Sequence, residues 1–293
     1  MAVLAVTAVH AWPELLRGGF VGVDIFFVLS GYLITGQLAR ELARTGRIAL
    51  PAFWAKRARR LLPASILVLV FATIMTLVVL PLSSLTTSLR EILASILYVE
   101  NYLASSDESL VQHYWSLSLE EQFYILWPLL LLAATWLAGR MRRANVLIGV
   151  VSAATILSFI FSVVYTATNP SEAYFSTFTR MWEFGVGAVL ALLPSLRPRS
   201  ATVSNLLGYS GFAVVLACGY LFNSSTPFPG YMAAIPVLAT AAIIVSASRA
   251  NRFDAARVLG VRPMRFIGDI SYSVYLWHWP LIVIARTTAR GSE

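Results

Sequence analysis

The chain has 293 residues, of which 58% are hydrophobic and only 12% are charged, and its mean hydropathy is +0.74. A soluble domain carries about 25% charged residues, so this composition excludes ordinary soluble domains and indicates a polytopic membrane protein. The formal net charge of +8 predicts no nucleic-acid partner, because attraction to anionic membrane lipid and the insertion bias of basic loops account for it.

The apolar segments predict an all-α membrane helix bundle in a single domain over 1–293. The opening MAVLAVTAVHAW is too short to span alone, since a spanning helix needs about 20 apolar residues. We interpret it as the outer part of a first helix whose start is missing. The later segments of spanning length are 19–39, 61–82, 118–138, 146–168, 174–194, 204–222, 231–248 and 266–286. About nine spanning helices are therefore expected.

The stretch 88–105 is different, because it carries Arg90, Glu91 and Glu100 among its apolar residues. We predict an amphipathic segment that lies in a membrane interface or folds as a re-entrant piece. Most of the 22 lysine and arginine residues then fall in four loops on one side of the membrane: 40–60, 139–145, 195–201 and 249–265. The positive-inside rule places these loops in the cytoplasm.

Several ionisable side chains are predicted to lie in the outer half of the membrane. They are His10, Asp24, Arg180, Glu183 and His278, with Glu120 and Glu121 at the start of the helix that enters from outside. Ionisable residues within spanning helices are rare and usually face a cavity or a partner. The basic cluster FWAKRARR lies on the opposite side, which favours an anionic ligand inside and polar chemistry near the outside.

Some of these residues also have a structural interpretation. Ser118 and Glu121 match the capping box S-x-x-E, which satisfies free backbone donors at a helix start. Arg180 and Glu183 are three residues apart, the spacing of a helical ion pair. Asp24 is alternatively explained by pairing with an arginine such as Arg17.

His113, His278 and the basic cluster FWAKRARR have structural alternatives as well. His278 is as well explained by a structural hydrogen bond as by catalysis. His113 lies in a predicted outer loop and is expected at the surface. The cluster FWAKRARR is also explained by its role in orienting the chain during insertion.

Four long motifs occur in a defined order: HAWPELLRGGFVGVDIFFVLSGYLITG, FWAKRARRLLPA, HYWSLSLEEQFYILWP and GDISYSVYLWHWPLI. Together they resemble the acyltransferase-3 family of bacterial integral membrane O-acyltransferases, over residues 1 to about 286. The resemblance implies a ten-helix, multi-pass protein of the bacterial plasma membrane. It also implies transfer of an acyl group, often acetyl, from cytoplasmic acyl-CoA to a hydroxyl of an extracytoplasmic glycan or lipid.

The resemblance implies that parts of the family's fold lie beyond this sequence. The family's first-helix motif pairs an arginine with a histidine eleven positions later. His10 matches the histidine, and the arginine would precede Met1. The family's final helix, after the segment that matches 266–286, is also missing. We therefore expect a member truncated at both ends.

Acyl transfer to a hydroxyl needs a base for its proton and a stabiliser for the developing oxyanion. We assign His10 as the base and Asp24 or Glu121 as the carboxylate that orients it. Glu120 and Glu121 are predicted to border the acceptor pocket, so the predicted catalytic set is His10, Asp24, Glu120 and Glu121.

The donor and acceptor sites use other residues. Arg57 and Arg60, three apart on one helical face, suit the phosphates of acyl-CoA, and Lys56 strengthens the field. Ser30 belongs to a stretch of small residues that permits close helix packing, with a second role beside the donor channel. Acceptor binding is assigned to Arg180, Glu183, Trp115, Tyr272 and His278, and no metal is expected.

Two rival functions remain open on the sequence. A membrane protein that binds glycan or lipid without catalysis, or an inactive fragment of such an enzyme, explains the same residues. A secondary transporter also explains charges at membrane depth, but the sequence shows no inverted repeat or matched pair of broken helices.

Overall fold

The computed structural model describes residues 1–103, 109–138, 143–196, 198, 200–247, 257 and 260–290. Within these residues every regular element is helical, which confirms the all-α prediction. The α-helices are α1 (Ala2–Ala11), α2 (Gly22–Thr45), α3 (Leu50–Val79), α4 (Leu82–Ile96), α5 (Tyr114–Ala138), α6 (Arg143–Thr168), α7 (Pro170–Phe175), α8 (Thr177–Leu192), α9 (Ala201–Leu221), α10 (Ala234–Ser246) and α11 (Arg262–Arg290). Short 3-10 turns lie at Gly19–Val21, Glu100–Tyr102 and Pro194–Leu196.

Within the described residues, 5 segments are long and apolar enough to cross a membrane. They are Gly19–Thr45, Leu50–Val79, Tyr114–Ala138, Ala144–Thr168 and Ala201–Leu221. The predicted count of about nine is therefore not reached by this measure.

Two of the predicted spans are shorter than the sequence suggested. In 174–194 the extended backbone of Ser176 separates α7 from α8, which has only 16 residues. In 231–248 the helix α10 has 13 residues. The loops 139–145 and 249–265 lie largely outside the described residues, and 195–201 lies partly outside them, so the predicted orientation in the membrane stays a prediction.

The chain divides into two compact units. The first comprises Met1–Ile48 and Leu126–Asp269, and the second comprises Ala49–Ile125 and Ile270–Glu293. The division therefore falls inside α5 and inside α11.

In the first unit, α2 packs against α8 so closely that their backbones touch. A Cβ atom on Gly31 would overlap the carbonyl group of Phe184, and one on Gly187 would overlap the carbonyl of Val28. Small residues at such crossings let membrane helices approach at van der Waals distance. The predicted packing role of the small residues beside Ser30 is confirmed at Gly31.

In the second unit, α4 is amphipathic, as predicted for this part of 88–105. Glu91 and Ser95 are buried on one face, whereas Leu89 and Leu93 are exposed on the other. The helix ends at Ile96 and is followed by a turn in which Tyr98 takes a positive φ of 54°.

In the part of the chain that the structure describes, three α-helices contain an internal proline. At two of these prolines a distant side chain donates to the carbonyl that the proline leaves without a backbone donor. A proline has no N–H for the carbonyl four residues earlier. Pro128 in α5 cannot donate to the Tyr124 carbonyl, and the indole Nε1 of Trp54 donates to it at 3.0 Å. The side chain of Trp54 therefore replaces a backbone donor of α5.

The same arrangement recurs in α11. Pro280 cannot donate to the carbonyl of Leu276, and Nε2 of His113 lies 3.1 Å from that oxygen. Because a carbonyl only accepts, His113 is the donor. His113 is only 3% exposed, so the prediction of a surface histidine is wrong. It is buried because it completes the hydrogen bonding of the neighbouring helix.

Candidate functional site

A pocket of about 370 Å³ lies in the second unit between α3 and α5. Its walls are mostly apolar, with one cation and one carboxylate. The lining residues are Trp54, Arg57, Ala58, Leu61, Leu62, Glu121, Tyr124 and Ile125. Trp54 and Arg57 are one turn apart on α3, and Glu121 and Tyr124 are one turn apart on α5, so each pair shares a helix face.

Ring contacts hold the cation of this pocket. The guanidinium carbon of Arg57 lies 4.5 Å from the ring centroid of Tyr124 and 5.8 Å from that of Phe53. An arginine over an aromatic face is attracted by the ring quadrupole, more strongly where water is excluded. The hydroxyl of Tyr124 donates to Glu120, so the ring that carries Arg57 is itself fixed through its hydroxyl.

The predicted capping box at Ser118 and Glu121 is wrong. Helix α5 begins at Tyr114, because a turn over residues 111–115 starts it four residues earlier, with Tyr114 N bonded to Val111 O. Both members of the motif therefore lie inside the helix, where no backbone donors need a cap. The Glu121 side chain instead lines the pocket.

Of the residues predicted to bind the donor, only Arg57 lines this pocket. Lys56 and Arg60 are exposed on α3 and do not line the pocket. Arg59 is exposed too, and its Nε donates to the Ala55 carbonyl one turn earlier on the same helix. Ser30 is buried on α2 in the first unit.

The first unit contains a buried charge cluster centred on Arg180. Its Nη1 donates to Asp24 Oδ1 at 2.9 Å and to Glu183 Oε1 at 3.0 Å, and all three side chains are at most 1% exposed. The rings of Tyr174 and Phe228 lie 4.9 and 5.0 Å from the guanidinium carbon. The predicted helical ion pair between Arg180 and Glu183 is confirmed.

Asp24 is paired with an arginine, as the alternative interpretation predicted, but the partner is Arg180 and not Arg17. Arg17 pairs with Glu14 at 2.6 Å on the exposed surface, whereas Asp24 bonds to Arg180. A buried carboxylate is stable only when it is paired and hydrogen-bonded, and Arg180 supplies both. Among the described residues, the second oxygens of Asp24 and Glu183 are buried without a hydrogen bond.

The other predicted site residues are dispersed over the two units. His10 lies half-buried in the last turn of α1, in the first unit. Trp115 is buried in the first turn of α5, and the Tyr272 hydroxyl donates to the Leu61 carbonyl at 3.1 Å. His278 is buried, and its Nδ1 lies 2.6 Å from the Tyr275 carbonyl. A structural hydrogen bond at His278 is thus present, and the acceptor role of these residues stays a prediction.

Sequence reasoning missed Trp54, Tyr124 and His113. The prolines Pro128 and Pro280 were a usable signal, because the carbonyl four residues before each of them, at Tyr124 and Leu276, needs a donor from elsewhere in the chain. Within the described residues, no group of three or more His, Cys, Asp or Glu side chains is arranged to hold a metal ion.

The model of the acyltransferase domain of the acyltransferase-3 family matches residues 1–292. YrhL of Bacillus subtilis (strain 168), provisionally named a peptidoglycan O-acetyltransferase, is 34% identical over 97% of this chain and 47% of its own. The O-acetyltransferase OatA of Staphylococcus aureus (strain NCTC 8325 / PS 47) is 31% identical over 98% of this chain and 50% of its own.

The peptidoglycan O-acetyltransferase OatA of Listeria monocytogenes is 32% identical over 97% of this chain and 48% of its own. The chain spans about half the length of the curated relatives it matches. No solved structure matches it. With a family match over nearly all of its residues, the chain belongs to the acyltransferase-3 family.

Proposed function

We propose that the chain is a multi-pass O-acyltransferase of the bacterial cell membrane. It moves an acetyl group from cytoplasmic acetyl-CoA to a hydroxyl of an extracytoplasmic cell-wall glycan. The names of the relatives support the reaction and the acceptor class, and the five apolar helices of spanning length support the membrane location.

The observation that carries this proposal is the pocket between α3 and α5, where Arg57 and Glu121 face the same space. Apolar and aromatic walls with a few placed polar groups are typical of small-molecule sites. The pantetheine arm and thioester of the donor fit such walls. The exposed Lys56 and Arg60 on the same helix are proposed to bind the phosphates of the donor, which guanidinium and ammonium groups recognise.

The reaction balances without a further reactant. A base takes the proton of the acceptor hydroxyl, the hydroxyl oxygen forms a C–O bond to the thioester carbon, and the C–S bond breaks. CoA leaves as a thiolate and takes up a proton. His10 is the proposed base and Asp24 its proposed orienting carboxylate. Arg57 is proposed to bind the thioester oxygen of the donor and to stabilise the negative charge that develops on it. Glu120 and Glu121 are proposed to bind the acceptor.

The test is transfer of labelled acetyl from acetyl-CoA to isolated cell-wall glycan by membranes that contain the chain. We expect transfer by the wild type, and loss of at least about a hundredfold in His10→Ala, the usual size of a lost general base. Arg17→Ala, in an exposed ion pair, is the control and should retain activity. A wild type that binds glycan but transfers nothing would support the binding-protein alternative and refute the enzyme.

A further inference from the structure

Trp54 connects the two helices that form the pocket. Its indole Nε1 donates to the Tyr124 carbonyl at 3.0 Å, across 70 positions of the sequence. That carbonyl is the one to which Pro128 cannot donate, because the proline nitrogen carries no hydrogen. Trp54 therefore bonds α5 at the turn where the backbone ladder is interrupted.

The bonded turn of α5 is also the turn that carries the acidic side of the pocket. Glu121 lies one turn before Tyr124 on the same face and lines the pocket. The Tyr124 ring carries the Arg57 guanidinium, and its hydroxyl holds Glu120. A shift of this turn would move the cation and both carboxylates relative to each other.

We infer that Trp54 is a positioning residue for acyl transfer, acting through the Tyr124 carbonyl to hold Glu121 opposite Arg57. This inference rests on the proposed function of the pocket. A part-buried carbonyl left without its donor carries a desolvation penalty, which the turn would relieve by moving. Displacement of a catalytic group by about 1 Å is enough to lower the rate by one to two orders of magnitude.

The test is a double-mutant cycle on Trp54 and Pro128, measured as acetyl transfer. Trp54→Phe keeps an aromatic ring and removes the N–H. Pro128→Ala restores a backbone N–H at the position that bonds the Tyr124 carbonyl. We expect Trp54→Phe to lower kcat about tenfold, with a change below about twofold in the KM for acetyl-CoA, since Arg57 stays on its own helix.

The effect of Trp54→Phe in a protein that also carries Pro128→Ala shows whether the hydrogen bond to the Tyr124 carbonyl causes the loss of kcat. In the P128A background, Trp54→Phe should lower kcat by no more than about twofold, because the indole N–H is then redundant. Trp136→Phe is the matched control: this tryptophan lies on α5 and is 85% exposed, and its removal should leave kcat unchanged.

Three results would overturn the inference. The first is an unchanged kcat in Trp54→Phe, and the second is an equal loss of kcat in Trp136→Phe. The third is an undiminished loss of kcat for Trp54→Phe in the P128A background, because this would indicate that the shape of the ring matters and not the hydrogen bond. If P128A alone abolishes transfer, the same cycle is read from thermal unfolding in detergent. Trp54→Phe must then lower Tm with Pro128 present and not in the P128A background. A wild type without transfer refutes the proposed function itself, which separates the two failures.

Discussion

Replacing Arg180 by methionine should strongly destabilise the first unit. The side chain is 1% exposed and bonds two carboxylates that are equally buried. Removing one partner of a buried ion pair destabilises a protein by about 3–5 kcal/mol, because the remaining charge stays buried without compensation. Here Asp24 and Glu183 both lose their cation, so we expect a loss in the upper part of this range.

The assay is the free energy of unfolding of the purified protein in detergent micelles, measured for wild type and Arg180→Met. A triple variant with Asp24→Asn and Glu183→Gln removes the uncompensated charges and should regain most of the loss, since neutral replacements of buried ion pairs are often tolerated. Arg17→Met is the control, and its exposed pair should contribute less than about 1 kcal/mol. A loss in Arg180→Met no larger than that of Arg17→Met would refute this reasoning.

Two further predictions concern a buried acid and a helix crossing. Burial, and next to it the charge of Glu91, raises the pKa of Glu100 from 4.5 to about 9. The folded state therefore binds more protons than the unfolded state between these values, and stability should fall as pH rises through this window, by at most about 1.4 kcal/mol per pH unit. In Glu100→Gln the fall of Tm between pH 7.5 and 8.5 should be smaller than in the wild type; an unchanged slope contradicts the assignment. Gly31→Ala should lower Tm because its Cβ would overlap the Phe184 carbonyl, whereas Gly149→Ala, which meets nothing within 4 Å, should not; equal Tm values for the two would show that the crossing is loose.

The fold class was predictable from composition, because long apolar segments with few charges leave helices as the simplest way to satisfy the backbone in lipid. The amphipathic character of α4 was also predictable, since Arg90 and Glu91 interrupt an otherwise apolar stretch. Helix ends were less predictable: the sequence placed the start of one span at residue 118, and α5 begins at Tyr114. The capping-box motif matched by chance inside a helix whose start is set by the preceding turn.

Partners distant in the sequence could not be predicted. Asp24 was paired with Arg17, seven residues away, because proximity along the chain is all that a single sequence offers. The actual partner, Arg180, is 156 positions away. The prolines identify which carbonyl groups need a donor, but not that Trp54 and His113 supply them from 70 and 163 positions away.

The same limit applies to the candidate pocket. Separate sequence patterns favoured Arg57 and Glu121, one for binding donor phosphates and one for catalysis. Only the packing of α3 on α5 brings the two into one pocket and leaves Lys56 and Arg60 outside it. The helical spacing of Arg57 and Arg60 predicts a shared face, but it could not tell which of the two side chains lines the pocket beside α5.

Equilibrium binding of labelled acetyl-CoA to the purified protein tests the central claim most directly, with Arg57→Gln compared against Arg59→Gln. Both substitutions remove one guanidinium from α3, but only Arg57 lines the pocket. A charge-assisted hydrogen bond contributes about 1.5–3 kcal/mol, so we predict that Arg57→Gln weakens binding at least about tenfold and Arg59→Gln less than about threefold. Equal affinities for the two variants would contradict a donor site between α3 and α5.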